Sequence, residues 1–208
     1  MSKMYCIILS DSIDKMEREL RNREYRKGTD IPITVGILVA DYRRRFCQEN
    51  IIDQIDRLNK KTGELIDFYI PGYEKTLQYE CFEIAADNRV EYNGEKYRFS
   101  SEKYNDFLDA LEKKGIKVTG RTQLLLVPFE NGHLWFKDTL MFDLEKSEEV
   151  ERVGSVKLFF DYLIKISRET TDFEVFRKTI RYDMKRSAFL EFLKDKLKDS
   201  LWAVFVPS

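Results

Sequence analysis

Two apolar runs separated by a helical segment constrain the fold of this chain more than any other feature. The runs cover residues 33–40 and 65–70, and in both most successive positions are apolar, with Thr34 and Asp67 as the polar exceptions. Between them, apolar residues recur at helical spacing at Phe46, Ile51, Ile55 and Leu58. Such a strand–helix–strand unit normally joins parallel strands, and strands without polar alternation are covered on both faces. The chain is therefore predicted to form an α/β fold with a mixed sheet.

The Asn93-Gly94 pair predicts a β-hairpin after this unit. An Asn-Gly pair favours a type I′ turn, in which both central residues adopt positive φ angles. Folding the chain there places Glu91 opposite Lys96 and Val90 opposite Tyr97, which are favourable cross-strand pairs. The pattern of residues 73–87, which precede the hairpin, is compatible with either a helix or a strand.

Capping residues, hydrophobic spacing and glycine stops predict the remaining elements. They are helices over residues 10–28, 100–115, 155–168 and 171–199, and strands over residues 122–129 and 134–144. Ser10 is the predicted cap of the first helix, and Thr171-Asp172-Phe173-Glu174 forms a capping box for the last. The connection between the two strands is short, so they are predicted to pair antiparallel.

The order of these elements resembles the thioredoxin-like fold. Without a hairpin insertion at about residues 73–99, residues 31–168 read strand–helix–strand–helix–strand–strand–helix. The resemblance implies one α/β domain with thioredoxin-like strand order and helices on both faces of its sheet. Residues 1–30 would be an N-terminal helical extension, and residues 169–208 a C-terminal helical extension that packs on the domain or on a partner.

The chain departs from thioredoxin-like redox enzymes where those enzymes carry their chemistry. They have a CxxC motif, or at least one cysteine, at the start of the helix after the first strand, whereas this turn reads Asp41-Tyr42-Arg43-Arg44-Arg45. Cys47 lies in the second turn beside Phe46, and we expect it to be buried. The characteristic proline of those enzymes precedes their third strand, whereas Pro128 lies near the end of the corresponding strand predicted here, over residues 122–129. The chain is therefore predicted to be redox-inactive.

Arg43, Arg44 and Arg45 form the first candidate binding site. They follow the carboxyl end of a parallel strand, where open α/β sheets bind ligands. Guanidinium groups and helix N–H groups suit a phosphate or a carboxylate. The alternative is that the arginines pair with neighbouring acids such as Asp41 and Glu49. The turn before this helix does not contain a glycine-rich phosphate-binding motif.

Other groups offer weaker signals for catalysis or metal binding. His133 is the only histidine, and it is expected to be an exposed turn residue. Asp138, Asp143 and Glu145 alternate around a predicted strand, but the acid-x-Lys spacing of metal-dependent nucleases is missing. Three scattered cysteines without a CxxC pair argue against a zinc site. The sequence therefore predicts neither a metal nor a cofactor.

The C-terminal region carries two candidate interaction surfaces. The aromatic residues Phe173, Phe176, Phe189 and Trp202 exceed what a lone terminal helix normally buries. They are expected either to bury against a partner or second subunit or to dock on the domain. Arg177, Arg181 and Lys185 recur at i, i+4 and form a basic strip. This strip would suit a nucleic-acid backbone, although interspersed acids dilute it.

Net charge and cysteine usage limit the function further. The 36 basic residues nearly balance the 37 acidic residues, so the whole molecule provides no field that attracts nucleic acid or an anionic membrane. The apolar run at residues 4–9 is too short for a signal peptide or a membrane span, and a cytoplasmic location is expected. A protein-interaction or oligomerisation module is the leading hypothesis. The alternative is an enzyme or sensor that binds a phosphorylated ligand or nucleotide at Arg43–Arg45.

Overall fold

Strands and helices follow each other along the chain in the order of an α/β protein. The computed structural model describes residues 7–10, 12–23, 33–62, 66–76, 89–92, 94–146 and 154–185. The strands are β1 (Ile7–Ser10), β2 (Ile33–Val39), β3 (Ile66–Pro71), β4 (Tyr73–Lys75), β5 (Arg89–Tyr92), β6 (Glu95–Phe99), β7 (Gln123–Glu130), β8 (His133–Leu134) and β9 (Leu140–Asp143). The helices are α1 (Ile13–Asn22), α2 (Arg45–Asn50), α3 (Ile55–Thr62), α4 (Ser101–Lys113), α5 (Val156–Glu169) and α6 (Phe173–Lys185), with 3₁₀ turns at Ile52–Gln54 and Phe136–Asp138.

The larger sheet is mixed and contains the strand–helix–strand unit at its centre. Its strand order is β1-β3-β2-β7, and both β8 and β9 pair with the far edge of β7. β1, β3 and β2 are parallel, whereas β7 runs antiparallel to β2, β8 and β9. The chain passes from β2 to β3 through α2 and α3. The predicted α/β fold with a mixed sheet is thus confirmed.

Buried side chains pack against both faces of this sheet. On β2, Leu38 belongs to the core cluster that includes residues of α2, α3, α5 and α6. Val35 and Ile37 belong to a second cluster with residues of α1 and α4. This division explains why every residue of β2 is buried and why its sequence shows no polar alternation.

The strand β1 was not apparent from the sequence pattern. Residues 7–10 lie in the region predicted to be a helical extension, yet Ile7 pairs with Phe68 and Ser10 with Pro71 in the parallel sheet. Because Ser10 is the last residue of the strand, it does not cap α1. Its hydroxyl donates a hydrogen bond to the carbonyl oxygen of Ser12, and the Ser12 hydroxyl accepts the cap hydrogen bond from the N–H of Lys15.

The predicted hairpin is present with the predicted register. Val90 lies opposite Tyr97, and Glu91 lies opposite Lys96. β4 pairs with the other edge of β6, so β4, β6 and β5 form a small antiparallel sheet. Within the segment predicted as helix or strand, Tyr73–Lys75 is a strand and residues 77–87 lie outside the described residues.

The strand predicted over residues 134–144 is interrupted. β8 pairs with Phe129 and Glu130, and β9 pairs with residues 123–126 of β7, so a 3₁₀ turn separates them opposite Val127 and Pro128. Proline has no N–H to donate to a neighbouring strand. Both segments run antiparallel to β7, as the short connection indicated.

The last described helix begins at a different cap from the one predicted. Oδ1 of Asp172 accepts hydrogen bonds from the N–H groups of Glu174 at 2.8 Å and Val175 at 3.1 Å. Asp172, rather than Thr171, therefore caps α6. The predicted continuation of this helix over residues 186–199 lies outside the described residues.

Gly36 provides a test of packing within the parallel pair β2–β3. A Cβ atom at Gly36 would clash with Cδ1 of Phe68, whose ring packs edge-on against Phe160 with centroids 5.3 Å apart. We expect Gly36→Ala to lower the free energy of unfolding by about 1–3 kcal/mol, because the buried ring must move. Chemical denaturation measures the change.

Phe68→Leu supplies the matched second substitution. It removes the ring atoms that the new methyl group meets, so the Gly36→Ala/Phe68→Leu variant should lose less stability than the sum of the two single variants. Strictly additive losses would contradict a direct clash between these two positions.

Candidate functional site

Two of the three predicted site arginines form local ion pairs. Arg43 donates from Nε and Nη2 to the Asp41 carboxylate at 2.8 and 2.6 Å, and its Cζ lies 5.9 Å from the centroid of the Phe99 ring. Arg45 donates from Nε to Oε1 of Glu49 at 2.7 Å. These contacts match the alternative in which the arginines pair with neighbouring acids.

Arg44 forms a long-range ion pair with Glu145. Its two terminal nitrogens each lie 2.7 Å from a carboxylate oxygen of Glu145, and the N–H of Thr122 also donates to Oε1 at 2.7 Å. Burial alone would raise the pKa of Glu145, but the hydrogen bonds from Thr122 and the charge of Arg44 outweigh it, so the pKa is lowered. Each guanidinium of the turn is thus paired with a carboxylate, and the arrangement gives no support to an anion site there.

Cys47 lies among aromatic side chains beneath this turn. It is fully buried, and burial raises the pKa of its thiol to about 12. Tyr42 and Tyr73 pack edge-on nearby with ring centroids 5.6 Å apart, and burial also raises the pKa of the Tyr73 hydroxyl. A protonated, inaccessible thiol is neither a nucleophile nor a metal ligand at neutral pH.

The predicted acids and the histidine do not come together as a site. His133 is exposed, and its Nδ1 lies 3.6 Å from Oε2 of Glu17. Asp143 pairs with Arg121 at 2.9 Å and also accepts hydrogen bonds from the backbone after β9. Across the described ranges, His, Cys, Asp and Glu side chains form no group of three or more that would hold a metal ion.

The candidate aromatic surface is buried where the structure describes it. Phe173 and Phe176 stack with centroids 6.2 Å apart and belong to the main core, because α6 docks its apolar side on the domain. These two residues therefore cannot present an exposed contact surface. Phe189 and Trp202 lie outside the described residues.

The basic strip on α6 is described only in part. Arg177 pairs with Glu174 three residues earlier, so part of its charge is already compensated. Arg181 is exposed, and the side chain of Lys185 is not among those described.

A concave surface beside Trp135 is the candidate site that the sequence did not predict. We call it the Trp135 groove, and its volume is about 260 Å³. Its lining residues are Pro128, Glu130, Trp135, Asp138, Asp172, Phe173 and Glu174. Trp135 is 47% exposed, which makes it one of the few large apolar side chains of the described residues that face solvent.

A tight hairpin positions the tryptophan. Asn131 and Gly132 have φ angles of 52° and 80° and connect Glu130 directly to His133, its partner across the hairpin. The backbone N–H of Trp135 then donates to the carbonyl oxygen of Pro128 at 2.9 Å. The indole Nε1 donates to the carbonyl oxygen of Glu130 at 3.3 Å, so the polar edge of the ring is engaged while much of the ring stays exposed.

Helix α1 holds this hairpin against the domain. Arg21 donates to the carbonyl oxygen of Gly132 at 2.8 Å, and Glu17 accepts a hydrogen bond from the N–H of Leu134 at 2.9 Å. The neighbouring Phe136 is buried in the cluster that α1 covers. Trp135 therefore projects from a segment that is fixed on both sides, and the groove does not depend on a free loop.

The groove is acidic. Asp172 caps α6 and Glu174 pairs with Arg177, so these two carboxylates have structural roles. Within the described residues, the side chains of Glu130 and Asp138 have no ion-pair partner. None of the seven lining residues is basic. The groove therefore presents two uncompensated carboxylates beside an exposed indole.

The groove lies far from the arginine turn. β7 runs antiparallel to β2, so Phe129 pairs with Ile33 at the start of β2, whereas Gln123 pairs with Val39 at its end. The Trp135 groove thus lies toward the opposite end of the sheet from the edge where a parallel α/β unit usually binds ligands.

Comparisons with protein families, with curated proteins and with solved structures find no match for this chain. Among the helices that the structure describes, none combines the length and apolar character needed to cross a membrane.

The Arg44–Glu145 ion pair predicts a specific pH dependence. Because the pKa of Glu145 is lowered in the folded state, its carboxylate contributes stability above its unfolded pKa of about 4.3, and this is lost as the pH falls through the folded pKa. We expect Glu145→Gln to cost about 1–2 kcal/mol near neutral pH, with the difference disappearing in acid. Denaturation at several pH values measures it.

Glu49→Gln is the matched control, because it breaks the exposed Arg45–Glu49 pair with the same change of residue type. Its effect should be much smaller than that of Glu145→Gln, because solvent screens an exposed ion pair. Equal losses for the two variants, or a Glu145→Gln loss independent of pH, would argue against the ion pair as the source of stability.

The burial of Cys47 predicts an unreactive thiol. In a Cys6→Ser/Cys81→Ser background, a thiol reagent at about pH 8 should modify Cys47 only after denaturation, because the folded-state thiol stays protonated and inaccessible. Absorbance of the released chromophore measures the rate. A Glu112→Cys variant provides an exposed control on α4, and equal rates for both thiols in the folded protein would refute the assignment.

Proposed function

We propose that the protein is a redox-inactive, thioredoxin-like module of the cytoplasm that binds a protein partner through the Trp135 groove. The observation that carries this proposal is the 47% exposure of Trp135 within a concave, structurally fixed surface. Tryptophan is enriched among the residues that dominate binding energy at protein interfaces. An indole left half exposed beside a groove has the properties of such an anchor.

The order of elements supports the thioredoxin-like part of the proposal. From β2 onward the larger sheet and its helices follow the order strand, helix, strand, helix, strand, strand, helix, if α2 and α3 are counted as one helical segment and the two-residue β8 is left out, with β4, β5 and β6 inserted after β3. This is the order on which the resemblance rests. β7 and β9 supply the final antiparallel pair, and α5 follows them.

The turn after β2 supports the redox-inactive part. The redox enzymes of this fold place a reactive cysteine at the start of the following helix. Here Arg44 occupies that position and is held by Glu145, while Cys47 is buried behind it with a raised pKa. A thiol in this environment does not exchange with disulfides at neutral pH.

The size of the groove favours a side chain of a partner over a drug-sized ligand. Sites for drug-sized ligands usually occupy about 300–1,000 Å³. The Trp135 groove has a volume of about 260 Å³ and is open to solvent, so it is smaller than a typical site for such a ligand. The crosslinking experiment described next distinguishes a second copy of the chain from a different protein as the partner.

Site-specific photocrosslinking in cells tests the proposal. A photoreactive residue at Lys137, which is exposed beside Trp135, should form a defined protein adduct, and Trp135→Ala should remove it. The same residue at Lys113, exposed at the end of α4, is the control and should not form this adduct.

The mass of the adduct identifies self-association or a different partner, and either result supports an interaction module. The absence of an adduct specific to position 137, or an adduct that survives Trp135→Ala, would contradict binding through the groove.

A further inference from the structure

We infer that the Trp135 groove binds an arginine side chain in an exposed segment of the partner protein. This inference rests on the proposed function and specifies the chemistry of the partner. Its basis is the combination of an exposed indole with Glu130 and Asp138, two carboxylates that have no ion-pair partner among the described residues, in a groove whose described lining includes no basic side chain.

The charges select a cation. Glu130 and Asp138 extend from the sheet side of the groove, and Asp172 and Glu174 from the start of α6. Asp172 already accepts hydrogen bonds from the start of α6, and Glu174 already pairs with Arg177. Glu130 and Asp138 are therefore the carboxylates that are available to a ligand. A phosphate or carboxylate ligand would meet like charges on both sides, whereas a cation would meet opposite ones.

The indole selects a flat cation. Tryptophan is the best aromatic partner for a cation above its ring face, and guanidinium groups occupy such positions more often than ammonium groups. A guanidinium can stack on the ring and still direct its N–H groups in the plane toward carboxylates. The indole Nε1–H of Trp135 already donates a hydrogen bond to the backbone carbonyl oxygen of Glu130, and this bond holds the ring in place for a ligand.

The exposed ring of Trp135 provides the apolar contact for the stem of the side chain. Pro128 and Phe173 also line the groove but are buried, so the methylene groups of an arginine would contact mainly the indole while its guanidinium contacts the acids. A lysine would retain the charge but lose the planar stacking and forked hydrogen bonding, and we expect it to bind more weakly than arginine.

Tryptophan fluorescence of the full-length chain provides the assay. The chain has two tryptophans, so Trp202→Phe leaves Trp135 as the single reporter. The probe is a blocked pentapeptide with one arginine flanked by glycine and serine. It should produce a saturable fluorescence change. The same peptide with citrulline, which keeps the shape but lacks the charge, should not.

Paired charge variants test the role of the groove. Glu130→Gln/Asp138→Asn should weaken binding at least about tenfold, because both uncompensated carboxylates are removed. Glu102→Gln/Asp109→Asn on exposed positions of α4 makes the same change in net charge and should leave the affinity unchanged. A lysine peptide should bind with intermediate affinity.

Three results would overturn the inference: no saturable change with the arginine peptide, equal binding of the citrulline peptide, or equal weakening by the two double variants. Circular dichroism and denaturation of each variant establish that it is folded, so a loss of binding is not a loss of structure. A crosslink from position 137 without arginine binding would leave the interaction module in place and reject only the choice of arginine.

Discussion

The complete burial of β2 is the constraint on which the rest of the structure depends. This strand pairs with β3 on one edge and with β7 on the other, and all seven of its residues are buried. A strand with two apolar faces requires cover on both sides. Helices α1 and α4 contribute to one core, and α2, α3, α5 and α6 contribute to the other. At Gly36, the absence of a side chain makes room for the Phe68 ring, which packs against Phe160 on that face of the sheet.

Features set by neighbouring residues could be predicted from the sequence. The continuous apolar run at residues 33–40 indicated a strand covered on both faces, and the Asn93-Gly94 pair indicated the register in which Glu91 faces Lys96. In both cases the residues that determine the local structure are close neighbours in the sequence. The serine before α4 likewise marks the start of that helix, because its hydroxyl accepts a hydrogen bond from the N–H of Lys103.

Features set by distant residues could not be predicted in this way. β1 is only four residues long, and its pairing partner, β3, lies far along the chain. Arg44 and Glu145 are separated by 101 positions, so the sequence pattern showed three adjacent arginines but not the acid that pairs with Arg44. The Trp135 groove needs the start of α6 as its second wall. A reading of residues 134–144 as one regular strand also concealed the outward position of Trp135 between β8 and the 3₁₀ turn.

The sequence predicted a candidate site at the arginine turn after β2, but the pairing of charges in the structure favours the Trp135 groove, which lies toward the opposite end of the sheet. At the end of β2, an arginine-rich turn resembles an anion site in sequence, but each guanidinium already has a carboxylate partner. Toward the opposite end, Glu130 and Asp138 lie beside an exposed indole and have no ion-pair partner among the described residues. Binding energy is available from charges and apolar surface that folding has not already paired or buried. By this criterion, and among the described residues, the acidic groove supports the proposed partner binding better than the basic turn does.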